Sequence, residues 1–277
     1  MDLSSVKNLR VLVVGDAIMD EYVYVRPVGK AIKENALSSI TKNREVFHGG
    51  VWAAAEHVRN FVAETAILYG EKVMWNSRMV DDVYFRKLFV THELRSHVTP
   101  PERHDIAGFD CVIVCDFGHG AMTKELIEEV SEKAKFLCVN AQTNATNFGF
   151  NVITKYQRAD FIVLDEIEAR LAVHDNQSPI EKVIEKLDYQ NIIVTLGVHG
   201  AVGYNGRGFE RRPAVADTLV DTMGAGDAFL AITSPFAAIG TPMSDLLRIG
   251  NAAGAAKVSI LGHRRSVDRE HLEQYLV

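Results

Sequence analysis

The sequence predicts an α/β fold with a mostly parallel central sheet. Three observations carry that expectation. Short, wholly apolar runs recur along the chain, longer segments with helical spacing fall between them, and turns rich in glycine or aspartate stand at the ends of the runs. Runs apolar on both faces suit strands covered by helices on each side, which is the situation of a parallel sheet.

Taken in order, the runs Val11–Gly15, Cys111–Cys115, Phe136–Val139, Phe161–Leu164 and Asn191–Thr195 read as buried strands. Helical patterns are expected near 49–63, 123–134, 166–173, 179–187, 225–239 and 243–261. Two stretches break this rhythm. Residues 22–47 and 73–80 alternate apolar with polar side chains, as half-exposed strands do, and together predict a small β lid beside the main sheet. Ligand sites in such folds lie at the carboxyl ends of the strands, where Gly15-Asp16 and Asp116 stand. Residues 1–277 are expected to form one domain with that lid, and no internal repeat or low-complexity tract interrupts them.

At 277 residues and 47% hydrophobic content the chain can bury a large core. A net charge of −6 argues against nucleic acid or an anionic membrane as the main partner. No apolar run reaches transmembrane length and the first residues lack a secretory pattern, so a cytoplasmic protein is expected. Cys111, Cys115 and Cys138 fall in or beside apolar strands without a matching His/Cys pair, which suits buried free thiols.

The most informative segment is Asp221-Thr-Met-Gly-Ala-Gly-Asp227, followed directly by the apolar stretch Ala228–Ile232. Its glycines allow a tight turn and close approach to a ligand. A helix starting there would offer free N–H groups and the positive end of its dipole to phosphate oxygens. Asp227 adds a carboxylate where a general base for a hydroxyl nucleophile would sit, which points to phosphoryl transfer onto an alcohol. The alternative for Asp227 is a plain N-cap of a strand-to-helix turn.

The run D-T-x-G-A-G-D resembles the C-terminal signature of the ribokinase (PfkB) family of sugar kinases, and the resemblance extends over most of the chain. It implies a ribokinase-like three-layer fold with a β lid, ATP as donor, Mg2+ as cofactor, and Asp227 as base with the amides of Gly224, Ala225 and Gly226 stabilising the transferred group. Gly15-Asp16-x-x-x-Asp20 matches the segment with the family's sugar-binding aspartate, Asp20 at the matching spacing and Asp16 as the other candidate. His48-Gly49-Gly50 resembles the Gly-Gly motif that passes close to the sugar. The asparagine usual after it is replaced by Ala53 or Ala54, so either another side chain substitutes, with Lys33, Glu34 and His48 as candidates, or the substrate differs. Asp165-Glu-Ile-Glu168 resembles N-x-x-E, whose glutamate organises magnesium; for Asp165 an acidic first helical turn fits equally. Thr195, Gly197 and Asn251 match the nucleotide side. Asp221 would help hold a monovalent cation, and a lid-mediated homodimer is implied as well.

Asp116-Phe-Gly-His119-Gly lacks the other parts of a protein-kinase signature. It matches the Asp-aromatic-x-Lys-Gly motif of heptose-phosphate kinases in this family, with His119 in place of lysine as a substrate-phosphate contact. The wording is closest to the kinase half of bifunctional heptose kinase/nucleotidyltransferases, and no H-x-G-H signature of a second activity is present. The segment after Ala66–Tyr69 is shorter than in relatives, with an exposed sheet edge or a moved dimer contact as the expected consequence. A non-catalytic sugar or nucleotide sensor, and a kinase for a nucleoside or pyrimidine alcohol, are the alternatives to a sugar or sugar-phosphate kinase.

Overall fold

The computed structural model describes residues 2–96 and 104–276. The first half comprises β1 (Arg10–Lys30), β2 (Leu37–Gly50), α1 (Val51–Arg59), β3 (Glu64–Asp81), β4 (Lys87–Ser96), β5 (Cys111–Asp116), α2 (Lys124–Lys133) and β6 (Leu137–Ala141). There follow β7 (Phe161–Asp165), α3 (Glu166–Ala172), α4 (Ile180–Leu187), β8 (Ile192–Thr195), β9 (Ala201–Tyr204), β10 (Phe209–Arg212), α5 (Ala225–Ala238), α6 (Met243–Val258) and α7 (Arg269–Glu273). The strands form one sheet in the order β10-β9-β8-β7-β6-β5-β1-β3-β4, with β2 paired to β1. From β3 through β1, β5, β6 and β7 to β8 the pairing is parallel. The expected α/β class with a mostly parallel sheet is the one observed.

The alternation of side chains along each strand builds two cores. Val11, Val13, Cys111, Ile113, Phe161 and Val163 face one side and pack with α1, α5 and α6. Leu12, Val14, Val112, Val114, Ile162 and Leu164 face the other and pack with α2, α3 and α4. That is the physical content of a strand apolar on both faces. The three cysteines are free and buried. No described helix is long and apolar enough to cross a membrane.

The helices start and stop near their expected positions, whereas the strands differ more. β1 and β3 run without a break from the core out into the region expected to be a lid, paired in parallel from Arg10/Glu64 to Val25/Asp81. The short run at 66–69 and the strand at 73–80 are therefore parts of one strand, β3. β4 pairs with β3 only from Lys72 onward, so the earlier part of β3 has no second strand partner among the described residues. β4, β9 and β10 lie outside the expected strands: β4 and β10 are partly exposed, and β9 is only four residues long, so none carries a long apolar run.

The feature that positions the site is a change of neighbour along β1. Val11–Gly15 pair with β5, and from Ala17 onward the same edge pairs with β2 instead. A crevice opens where the two partners part, at residues 15–17 within β1 and the carboxyl end of β5. Helix α5 starts at this crevice and is held by close packing on α6, where a Cβ on Gly250 would fall about 2.1 Å from the Phe229 ring. Gly250→Ala is therefore expected to destabilise the fold by about 1–3 kcal/mol through overpacking, read by urea unfolding. An unchanged midpoint would show that α5 and α6 are less tightly seated than this contact implies.

Candidate active site

Thr222–Gly226 form the turn that leads into α5. Gly224 adopts φ 75° as the residue preceding the helix, and a side chain there would collide with His263 at 2.6 Å. The first helical bond is Ala228 N–H to Gly224 O, and Ala225 N–H reaches back to Thr222 O at 3.4 Å. The amides of Gly224, Gly226 and Asp227 have no backbone acceptor among the described residues. They stand at the positive end of a 14-residue helix, the arrangement that receives anions.

Two cavities meet at this turn. One, of ≈ 240 Å³, is a polar cleft lined by Asp20, Asn76, Arg78, His92, His119, Gln142, Asp227 and His263, with Gly50 at its wall. The other, of ≈ 300 Å³ and mostly apolar, is lined by Thr195, Gly197, Val198, Leu219, Phe229, Asn251 and Gly254. Thr222, Ala225 and Gly226 line both. An anion held by the turn would thus face a polar acceptor site on one side and a flat apolar slot on the other.

Asp227 faces the polar cleft, and Gln142 Nε2 donates to its Oδ1 at 2.9 Å. Burial pushes its carboxyl up to about 6, the nearby Asp20 carboxylate adds to this, and Lys257 and Gln142 offset part of it. A carboxylate poised there can accept a proton near neutral pH. Asp20 sits across the cleft, ion-paired with Arg78 and bonded by Asn76 Nδ2 at 3.3 Å. His263 Nε2 lies 3.8 Å from its Oδ2, and burial together with Lys257 lowers that imidazole to about 4, so it is neutral. Gly49 explains the Gly-Gly motif: any Cβ there would come 2.3 Å from Asp20 Oδ2.

The other aspartates of the motifs do different work. Asp16 accepts from the amides of Phe117 (2.8 Å), His119 (3.2 Å) and Ala121 (2.9 Å), clamping the loop after β5. Asp116 accepts from Gly118 N–H at 3.0 Å, Asn151 Nδ2 at 3.1 Å and Tyr156 OH at 2.6 Å, and pairs with Lys155. Both are buried, and neither lines the cleft. His119 does line it, with its ring parallel to Phe117, and burial lowers its pKa. His48 packs at a tilt against Trp52 and, like Lys33 and Glu34, does not line the cleft.

The donors at the acceptor end come instead from β3 and β4. Asn76 and Arg78 stand two residues apart on one face, and Asn76 Oδ1 meets His92 Nδ1 at 2.7 Å. Their i, i+2 spacing was the signal available in the sequence.

Asp165 and Glu168 form a reciprocal capping box: Asp165 Oδ1 accepts from Glu168 N–H at 2.7 Å, and Glu168 Oε2 accepts from Asp165 N–H at 2.8 Å. Glu168 also receives Asn140 and Thr143, and burial with the Asp165 charge pushes it up to about 8. No group of three or more His, Cys, Asp or Glu gathers to hold a metal among the described residues.

Asp221 is likewise occupied. It accepts from Tyr22 OH (2.6 Å), Lys87 Nζ (2.8 Å), Gly262 N–H (3.0 Å) and Met223 N–H (3.2 Å). Burial alone would raise its carboxyl, but Lys87 and Tyr22 outweigh that and hold it at about 2. At the apolar cavity, Thr195 Oγ1 reaches Leu164 O at 3.4 Å, and Asn251 Nδ2 donates to Pro213 O at 2.9 Å and Arg212 O at 3.2 Å. Asn251 thus ties the segment after β10 to α6 as well as lining the apolar cavity.

The profile of the pfkB family carbohydrate kinases matches residues 102–269, more than half of the chain. The chain belongs to the pfkB family. Among curated relatives, the bifunctional protein HldE of Campylobacter jejuni is 23% identical over 301 residues, covering 95% of this chain and 64% of that protein. HldE of Wolinella succinogenes is 25% identical over 174 residues, 60% of this chain and 36% of that protein. The chain therefore spans between about a third and two thirds of the length of these relatives. Among solved structures, Arabidopsis thaliana ribokinase complexed with ribose and ATP superposes with a TM-score of 0.69 at 16% identity, over 97% of this chain and 99% of that one. The fold of this pfkB member is ribokinase-like.

Because the Asp227 carboxyl is raised in the fold, ionising it costs folding free energy above about pH 4. Asp227→Asn is expected to stabilise the protein by about 1–3 kcal/mol at pH 7.5, a gain that shrinks toward zero near pH 4. Urea unfolding at the two pH values checks this; a destabilised variant at pH 7.5 would contradict the strained carboxylate.

Proposed function

We propose that the protein is an ATP-dependent kinase that phosphorylates a hydroxyl of a sugar or sugar phosphate. The observation that carries the reading is the turn itself: unpaired amides at the start of α5, Asp227 beside them, and one cavity on each side. Membership in a family of carbohydrate kinases supports the substrate class.

In this mechanism the adenine enters the apolar cavity between Gly197 and Gly254, where small residues leave room for a flat base. The phosphates run along the turn. The amides of Gly224, Gly226 and Asp227 face the charge that develops on the transferred group, with Ala225 between them. The acceptor lies in the polar cleft, where Asp20 orients its hydroxyls and Asp227 takes the proton of the attacking one. Arg78, His92 and His119 supply donors for an anionic substituent such as a sugar phosphate. Glycine at 49 lets the backbone pass close to that acceptor. Nucleotide-bound Mg2+ would supply neutralisation of phosphate charge. Residues 22–47 and 73–80 act as the lid of the cleft.

The test is ATP turnover with magnesium across sugars, sugar phosphates and nucleosides, with Asp227→Asn as control. One acceptor is expected to be turned over, and the variant to lose about 10²–10⁴-fold in rate, the usual contribution of a general base. ATP binding without turnover of any acceptor would favour a non-catalytic sensor instead.

A base must be deprotonated to work, so kcat/KM is expected to fall as pH drops through about 6 and to level off above it. A flat profile from pH 5 to 8 would remove Asp227 from that role.

A further inference from the structure

Lys257 is a lysine with no exposed surface, set in a stretch of α6 otherwise made of alanine, glycine and valine. Its side chain passes behind the turn, close enough that a Cβ on Gly224 would lie 3.2 Å from its Cε. Its ammonium donates to Met223 O and to Gly262 O, each at 2.7 Å. It lines neither the polar cleft nor the apolar cavity, so it is out of reach of an acceptor or a base bound there.

Burial lowers the Lys257 ammonium to about 8, and it keeps its charge at neutral pH because two carbonyls accept from it and carboxylate charge lies nearby. Besides the two carbonyls, the carboxylates of Asp221 and Asp227 attract it, Asp221 most strongly. Two carbonyl oxygens meeting at one buried point, with carboxylate charge nearby, suit a hard cation, and here the chain fills that point with its own side chain. The consequence for the turn follows from peptide geometry. Met223 C=O and Gly224 N–H belong to one planar trans unit and point in opposite directions. Holding Met223 O inward on Lys257 therefore turns the Gly224 amide outward. Asp221, which would otherwise be free to help hold a soluble ion, has Lys87, Tyr22 and two amides as partners.

We propose that Lys257 is a positioning residue: a tethered cation that holds the anion-binding turn open to phosphate and makes it independent of any soluble monovalent cation. This rests on the reading of the turn as a phosphate site. It replaces the monovalent cation that the family resemblance implies near Asp221.

The experiment is calorimetric titration of the full chain with AMP-PNP and Mg2+, in KCl and in choline chloride at equal ionic strength. Wild type is expected to bind equally in both, within about twofold. Lys257→Met, which keeps the volume and removes the charge, is expected to bind about tenfold more weakly or worse in either salt. Lys257→Ala leaves space behind the turn, and K+ or NH4+ is expected to restore its binding saturably where choline does not. A purely structural lysine would show no such rescue. Wild-type binding that tightens fivefold or more with K+ would overturn the proposal, as would undiminished binding by Lys257→Met. The wild-type comparison stands alone if a variant fails to fold. Wild type that binds no nucleotide in any salt would overturn the phosphate site itself, and this inference with it.

Discussion

The Asp221 carboxylate is the constraint on which the rest of the site depends. It is buried at the entrance to the turn, where an ionised oxygen without partners would cost several kcal/mol. Its four donors come from separate parts of the chain: Tyr22 on β1, Lys87 on β4, Gly262 after α6 and Met223 in the turn. Satisfying this one group fastens the outer strands to the turn and the turn to the loop after α6. The amides at the start of α5 can face the cleft because the other side of the turn is fixed in this way.

Three carboxylates near the turn illustrate how partners decide chemistry. Asp221 collects four donors and stays ionised far below neutral pH. Asp227 has Gln142 as its direct hydrogen-bond donor and feels Asp20 across the cleft, so it titrates close to neutrality. Asp20 is held by Arg78 and Asn76 at the acceptor end. Residues of one type thus differ in charge state and in how firmly they are held through the count and charge of their neighbours.

Much of the architecture is legible in the sequence. Strands such as Cys111–Asp116 are apolar at every position because helices cover both faces, and that pattern has few competing explanations. The turn at 221–227 is legible because its glycines and flanking aspartates are local. What escapes local reading is set by distant contacts. Asp16 and Asp116 stand at strand ends like ligand-binding groups, yet their acceptors are taken up by amides and side chains that only the folded chain brings near. Asp165 and Glu168 fit an acidic motif and a capping box equally well in one dimension, and the helix start gives them the capping geometry. Arg78 and His92 sit on half-exposed strands whose pairing fixes which face meets the cleft. Lys257 carries no local signal, since its role depends on a carbonyl more than thirty residues away.

The most direct measurement of the account is a crystal structure of the protein with AMP-PNP and magnesium. The account predicts the base between Gly197 and Gly254, and the terminal phosphate against the amides of Gly224, Gly226 and Asp227 with Asp227 facing it across the polar cleft. A nucleotide bound elsewhere, or phosphates turned away from the start of α5, would contradict it.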